Sequence, residues 1–412
     1  MEEFENKFAE YIRAKYAVAV NSGTSGLHLC VRTLDIKDGD KVVTTPFSFI
    51  SSANCILFEK AEPVFVDIDE RTLNIDINKL ERKLEELKGN KPKLKAILPV
   101  HVFGRPCEIG EIVELAQHYE VKVIEDAAEA IGAEYLVNSK VKEGRKNQND
   151  NKKQIEWRKV GTFGDCGVFA FYPNKQITTG EGGMIVTDDE KIYRLCRSMR
   201  NQGRGEDGAW LQHERLGYNY RISDINCALG IAQLERIEEI LAKREKVARI
   251  YNEKLSVVDE LILPHFEEHK KISWFVYVVR LKDRFTQEDR DMILRRLKEK
   301  GIGCNNYFSP IHLQPFYKKM FGYREGDFPV TEKVSKRTIA LPFFNNLKED
   351  EIDYVCENLK EIIEDTGFSS VTEFIVFTMR TIASGGRIKE ERLTAEEAEL
   401  VRERLKKLGY ID

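Results

Sequence analysis

A chain of 412 residues, 42% hydrophobic and 33% charged, can bury a large core across two domains, and no stretch is long and apolar enough to span a bilayer. A net charge of −4 gives no reason to expect nucleic acid or an acidic membrane as partner. Eight scattered cysteines without a C-x-x-C pair point to buried thiols in a reducing compartment; Met1 to Glu5 is acidic and helical in pattern, so the expected location is the cytoplasm.

From residue 1 to about 245, short apolar runs alternate with helical periodicity. Strands are expected at 17–20, 41–45, 63–67, 95–100, 121–126, 166–171 and 184–187, with helices between most of them, for instance at 77–87 and 109–119. This alternation predicts an α/β fold, a mostly parallel sheet covered on both faces with ligands at its strand ends. The first strand runs into Asn21-Ser22-Gly23-Thr24-Ser25-Gly26 and then the helical pattern Leu27, Cys30, Val31, Leu34. A glycine-rich helix start offers unpaired N–H groups and a positive dipole end, a candidate phosphate cradle. The strand at 121–126 ends in a carboxylate, Asp126, followed by Ala127 and Ala128; alternation turns Glu125 to the other face. After the strand at 166–171, Pro173 stops further regular structure and leaves Lys175 in a loop, from which Gly180, Gly182 and Gly183 let the chain turn away.

A lysine alone in a loop is usually a solvated charge. Phosphate cradle, acid and lysine in that order, each at a strand end, describe a pyridoxal phosphate site. The amine of Lys175 forms a Schiff base with the cofactor aldehyde and afterwards moves protons, while Asp126 keeps the pyridine nitrogen charged so that the ring draws electrons.

Between Glu134 and Gly161 the chain is polar, rich in Lys and Asn, and reads as a mobile surface hairpin inserted over 137–159. Ser223 then caps one long helical pattern through Leu241, which leads to a second, smaller domain at 246–365 with a strand at 273–281 and helices at 287–300 and 349–363. His265-Phe266-Glu267-Glu268-His269 fits an H-x-x-E-H zinc spacing but follows Pro264 in a loop without a third ligand, so no metal is expected. Over 366–412, two capping boxes, beginning at Ser370 and Thr394, open two amphipathic helices.

The ordered set Asn21 to Leu29, Thr45-Pro46-Phe47-Ser48-Phe49, Pro63 to Asp67, Glu125-Asp126-Ala127-Ala128-Glu129, the lysine stretch, Leu216 to Arg221 and Pro310 to Pro315 resembles the DegT-type aminotransferases over nearly all of the chain to about residue 365. These are pyridoxal phosphate enzymes of fold type I that aminate keto groups on nucleotide-linked sugars. The resemblance implies a three-layer large domain, a smaller α+β domain and a glutamate-dependent transamination of a nucleoside-diphosphate 4-keto sugar. It assigns Thr24 and Ser25 to the cofactor phosphate, Phe49 to stacking on the ring, and Glu129 to the neighbourhood of the cofactor hydroxyl. Asn219 would reach the phosphate of a neighbouring subunit across a homodimer interface, with Arg221, Tyr307 and His312 near the sugar. Two departures stand out: Ala170 occupies the place of a phosphate-binding serine, and the arm that precedes the first helix in the family is missing. A sugar dehydratase of the same family, typically with histidine in place of the lysine, and a non-catalytic cofactor-binding regulator are the competing readings.

Overall fold

A computed structural model describes residues 1–89, 93–139, 154–205 and 212–366. In chain order the first part comprises α1 (Glu2–Ile12), β1 (Tyr16–Val20), α2 (Gly23–Thr33), β2 (Lys41–Thr44), α3 (Ser51–Leu57), β3 (Glu62–Phe65), α4 (Ile77–Leu87), β4 (Leu94–Ile97), α5 (Ile109–His118) and β5 (Lys122–Asp126). A hairpin of β6 (Glu134–Ser139) and β7 (Gln154–Lys159) follows, then β8 (Cys166–Ala170), β9 (Gly183–Thr187) and α6 (Glu190–Arg200). The expected strands assemble into one seven-stranded sheet in the order β1-β9-β8-β5-β4-β2-β3, parallel from β8 to β3, with β9 antiparallel to both its neighbours.

Side-chain alternation explains why these strands read as unbroken apolar runs. Val43, Val123, Phe169 and Met184 enter one core with Phe4 and Phe8 of α1, while their neighbours Val42, Ile124, Val168 and Ile185 enter a second core with Leu27 and Val31 of α2. Both faces are therefore dry, and the strand ends are where polar side chains collect. Glu125 takes the face opposite Asp126, as alternation requires: its carboxylate accepts the Gly161, Phe163 and Gly164 N–H groups and bonds His101 Nε2.

The second part contains α7 (Asp224–Leu234), α8 (Ile237–Leu255), β10 (Leu261–Ile262), β11 (Lys270–Lys271), β12 (Tyr277–Leu281), α9 (Gln287–Glu299), α10 (Pro315–Phe321), α11 (Pro329–Ser335), β13 (Thr338–Leu341) and α12 (Glu349–Thr366). A small sheet, β10-β12-β13, packs against α8, α9 and α12 around a separate core. α8 gives Ile237 and Ile240 to the first core and Val247, Tyr251 and Leu255 to this one.

Two expectations need correction. The long helix from Ser223 is two helices broken at Glu235-Arg236; Leu234, Ile237 and Ile240 keep helical spacing across the break, so periodicity could not register it. The strand at 273–281 begins only at Tyr277, because Ser273 bonds Gly104 and Ile131 of the first part instead of a ladder partner. The hairpin expected over 137–159 is present at its base as the β6/β7 ladder, to which β11 adds a third strand; its tip lies outside the described residues, as do the two capping boxes at Ser370 and Thr394. Among the described residues no helix is long and apolar enough to cross a membrane.

The two parts are joined through Asp67, just beyond β3, whose carboxylate accepts the Val330 and Thr331 N–H groups and the Thr331 hydroxyl at the start of α11. Burial pushes this carboxyl up, but the bonds from Thr331, Val330 and Ile68 outweigh it and hold it below the ordinary value. A depressed folded-state pKa stabilises the fold above the unfolded pKa of about 4, and that contribution is lost as pH falls through the folded value. Wild type is therefore expected to lose thermal stability below about pH 4 more steeply than Asp67→Asn, as a series of melting curves would show; parallel profiles would sink the assignment.

Candidate active site

The ends of β1, β5 and β8 meet at a cavity of about 410 Å³. At one end is the start of α2. Ser22 caps the helix, its Oγ accepting the Ser25 N–H at 3.1 Å, and the Gly23 and Thr24 N–H groups, first in the helix, have no intrahelical partner. The turn packs too tightly for side chains: a Cβ on Gly183 would stand 2.7 Å from the Ser22 backbone, and one on Gly23 would stand 2.8 Å from Ala170 Cβ. Thr24 Oγ1 and Ser51 Oγ lie 2.7 Å apart, two hydroxyls beside the helix start.

Asp126 lines the same cavity from the end of β5. One of its oxygens accepts Ser52 Oγ at 2.7 Å and the other the Ala128 N–H at 3.1 Å, so the carboxylate has a fixed orientation. Burial raises its pKa, opposed by the Ser52 and Ala128 bonds and by Lys175. Such a group is most stable as an anion when a cation is placed against it. Lys175 enters from the loop after β8. Its Nζ is 3.4 Å from Glu129 Oε1 and 4.0 Å from the centre of the Phe275 ring. Glu129 is itself buried and pushed up, chiefly by desolvation, and its other oxygen accepts the Phe103 N–H at 2.9 Å. Phe49 lines the cavity with 63% of its surface exposed, a free ring face available for stacking, and Tyr307 lines it as well.

The remaining expected residues do not line this cavity. Ser25 turns back to cap its own turn, its Oγ donating to Asn21 Oδ1 at 2.7 Å. Asn219 is exposed and Arg221 donates to Asn201 Oδ1 at 2.9 Å, both outside the cavity of their own chain. His312 is fully buried, its Nε2 3.0 Å from Glu332 Oε1 and its ring 4.7 Å from that of Phe328, so the structure gives it a packing place away from the cavity. The zinc spacing also resolves differently. Glu108, Glu267 and His269 bring ligand atoms within 4.8 Å of one another, but the Lys270 ammonium bonds Glu108 and lies 3.4 Å from Glu267, already supplying the cation.

Several residues that position the site escaped sequence reasoning. Ser52, in α3, orients Asp126. Arg244 donates to the carbonyls of Trp274, Phe275 and Lys175, and Gln176 Nε2 donates to those of Glu129 and Ser273. Arg244 did leave a signal, a charged side chain on the buried stripe of α8 between Ile240 and Val247. The segment at 219–221 is bound to the cradle through Asn21, whose N–H donates to the Tyr220 carbonyl at 2.8 Å and whose Nδ2 donates to that of Asn219 at 3.3 Å.

An anion cradle, a buried oriented carboxylate and an amine in one cavity, with an open aromatic face, match the phosphate, ring nitrogen, aldehyde and ring of pyridoxal phosphate. A model of the DegT/DnrJ/EryC1/StrS aminotransferase family matches residues 1–360. The GDP-perosamine synthase of Escherichia coli O157:H7 is 35% identical over 365 residues, 89% of this chain and 90% of its own. The spore coat polysaccharide biosynthesis protein SpsC of Bacillus subtilis (strain 168) is 35% identical over 374 residues, 88% and 90% of the two chains. The solved structure of Helicobacter pylori PseC, an aminotransferase involved in the biosynthesis of pseudoaminic acid, has a TM-score of 0.77 at 26% identity and covers 88% of this chain and 91% of that one. On this geometry and these likenesses, the chain belongs to the DegT/DnrJ/EryC1/StrS aminotransferases, enzymes that work with pyridoxal phosphate.

Proposed function

We propose that this enzyme transfers the amino group of glutamate to the keto carbon of a nucleoside-diphosphate sugar, a 4-keto-6-deoxyhexose, in the making of amino sugars for a cell-surface polysaccharide. The observation that carries the reading is Lys175 sharing one cavity with Asp126, Glu129 and the start of α2, in a chain 35% identical to a GDP-perosamine synthase. Pyridoxal phosphate, when bound, supplies an electron-withdrawing ring for the carbon that loses or gains a proton. The chain does the rest. The first N–H groups of α2 and the Thr24 hydroxyl would hold the phosphate, Asp126 would keep the ring nitrogen charged, and Phe49 would offer its face to the ring. Lys175 Nζ would hold the cofactor's aldehyde carbon and is the group placed to carry the proton, with Glu129 setting the charge around it. Tyr307, which lines the cavity, meets the sugar, and Arg221, outside the cavity of its own chain, meets the diphosphate only in a partner's site.

Incubating the holoenzyme with glutamate and a panel of nucleotide keto sugars tests this. An amino sugar is the expected product; a deoxy sugar would make the protein a dehydratase, and binding without turnover would make it a regulator.

The cavity of one chain is open, with Phe49 63% and Tyr172 52% exposed, and Leu216 and Ile225 are bare at 66% and 84%. We read this face as the interface of a homodimer in which Asn219 completes the partner's phosphate site. Mixing Asn219→Ala and Lys175→Ala subunits should then regenerate one intact site in each mixed dimer, recovering roughly a quarter of wild-type activity. Recovery no greater than the sum of the two variants alone would place each site within one subunit.

Ala170 is the other point of departure. Its Cβ faces the cradle at Gly23, so Ala170→Ser adds a hydroxyl where the phosphate sits. One more hydrogen bond, about 1 kcal/mol, should tighten pyridoxal phosphate about fivefold, measured by titrating the apoenzyme. Unchanged or weaker affinity would show that the hydroxyl has no phosphate to meet.

A further inference from the structure

Behind the wall that carries Lys175 lies a larger cleft, about 570 Å³, which the proposed reaction does not use. Part of its lining is the face of the small sheet turned away from the helices. Tyr277, Val279 and Leu281 of β12 enter the C-terminal core, so alternation sends Val278 and Arg280 to the cleft. Leu73 and Phe103 line it from the first part of the chain, and Trp274 lines it as well. The volume lies in the range of small-molecule sites, and two aromatic side chains border it.

Its polar residues carry surplus positive charge. Arg71, Arg105 and Arg280 all line the cleft. Arg280 is answered by Glu70 at 3.3 Å and Arg105 by Glu267 at 2.8 Å. Arg71 comes no nearer than 3.7 Å to Glu267, and its side chain is 69% exposed. Two buried atoms among them, His265 Nε2 and Glu267 Oε1, have no hydrogen-bond partner and stand 3.7 Å apart. Burial and repulsion from Arg105 hold His265 below its ordinary value against the opposing pull of Glu267, and the ring offers a donor at Nε2 whenever that nitrogen carries the proton. Buried polar groups are almost always satisfied in folded proteins, so the unmet His265 donor beside Arg71 calls for an acceptor, while Glu267 Oε1 already faces both Arg71 and His265 at 3.7 Å.

We propose that this cleft is a second binding site, for a small aromatic carboxylate, its ring against Trp274, Val278 and Phe103 and its carboxylate at Arg71 and His265. Such a ligand presses on the wall of the first site. Phe103 holds a left-handed backbone, φ 57°, which a non-glycine residue adopts only under constraint from its surroundings. Its N–H donates to Glu129, the partner of Lys175, and its ring stacks on Phe308 at 5.4 Å. Trp274 is followed directly by Phe275, which lies against Lys175 Nζ. Occupancy of the cleft therefore changes the surroundings of the lysine amine without touching the cofactor.

Calorimetric titration of the holoenzyme with indole-3-propionate, and with its uncharged amide, tests the site. Saturable binding with a Kd below about 1 mM is expected for the acid, at least about tenfold weaker for the amide and for Arg71→Glu, and abolished by Val278→Trp, which fills the cleft. Arg71 is exposed, so its variant keeps the measurement valid if the tryptophan variant does not fold. The pH midpoint of the cofactor's visible absorption should move when the acid binds. No saturable heat, equal binding of the amide, or binding untouched by Arg71→Glu would overturn the site; binding with an unmoved midpoint would overturn its coupling to Lys175. Binding is read independently of turnover, so a negative sugar panel leaves this result standing.

Discussion

Lys175→Ala is expected to remain folded, to lose covalent attachment of pyridoxal phosphate, and to transaminate at least about 10³-fold more slowly. The fold should survive because the loop is held through its backbone: Arg244 binds the Lys175 carbonyl, and Gln176 fastens the next residue to Glu129 and Ser273. The cost to Glu129 is also limited. Its carboxyl is already pushed up by burial, and without the ammonium beside it protonation becomes easier still, which limits the cost of a bare buried charge. Borohydride treatment followed by peptide mapping should place the cofactor on residue 175 in wild type and nowhere in the variant. Retention of the visible absorption band after the substitution would end the assignment.

Asp126→Asn should separate chemistry from stability. The amide is nearly isosteric and can still bond Ser52, so it preserves the shape of the site and removes a carboxylate that burial disfavours. Its melting temperature is therefore expected to equal or exceed that of wild type. Turnover should nevertheless fall about 10²- to 10⁴-fold, because a neutral amide cannot keep the ring nitrogen charged, while covalent binding at Lys175 persists. A variant that unfolds instead would show that Asp126 is chiefly structural. Full activity in a stable variant would remove it from the mechanism.

By itself the sequence determined the seven strands and the order of cradle, acid and lysine along them. A strand buried on both faces must be an uninterrupted apolar run, and the glycines and Pro173 at its end mark where the chain is free to present a side chain. Only the tertiary structure decided which residues support that site. Ser52, Arg244 and Phe275 reach Asp126 or Lys175 across 69 to 100 positions of sequence, and Gln176 reaches Glu129 across 47, through contacts that no local period encodes. It also decided that His312 packs against Glu332, that Asn219 faces outward, and that one continuous helical pattern is broken at Arg236. Periodicity reports which face of an element is buried; what that face is buried against depends on where distant parts of the chain come together.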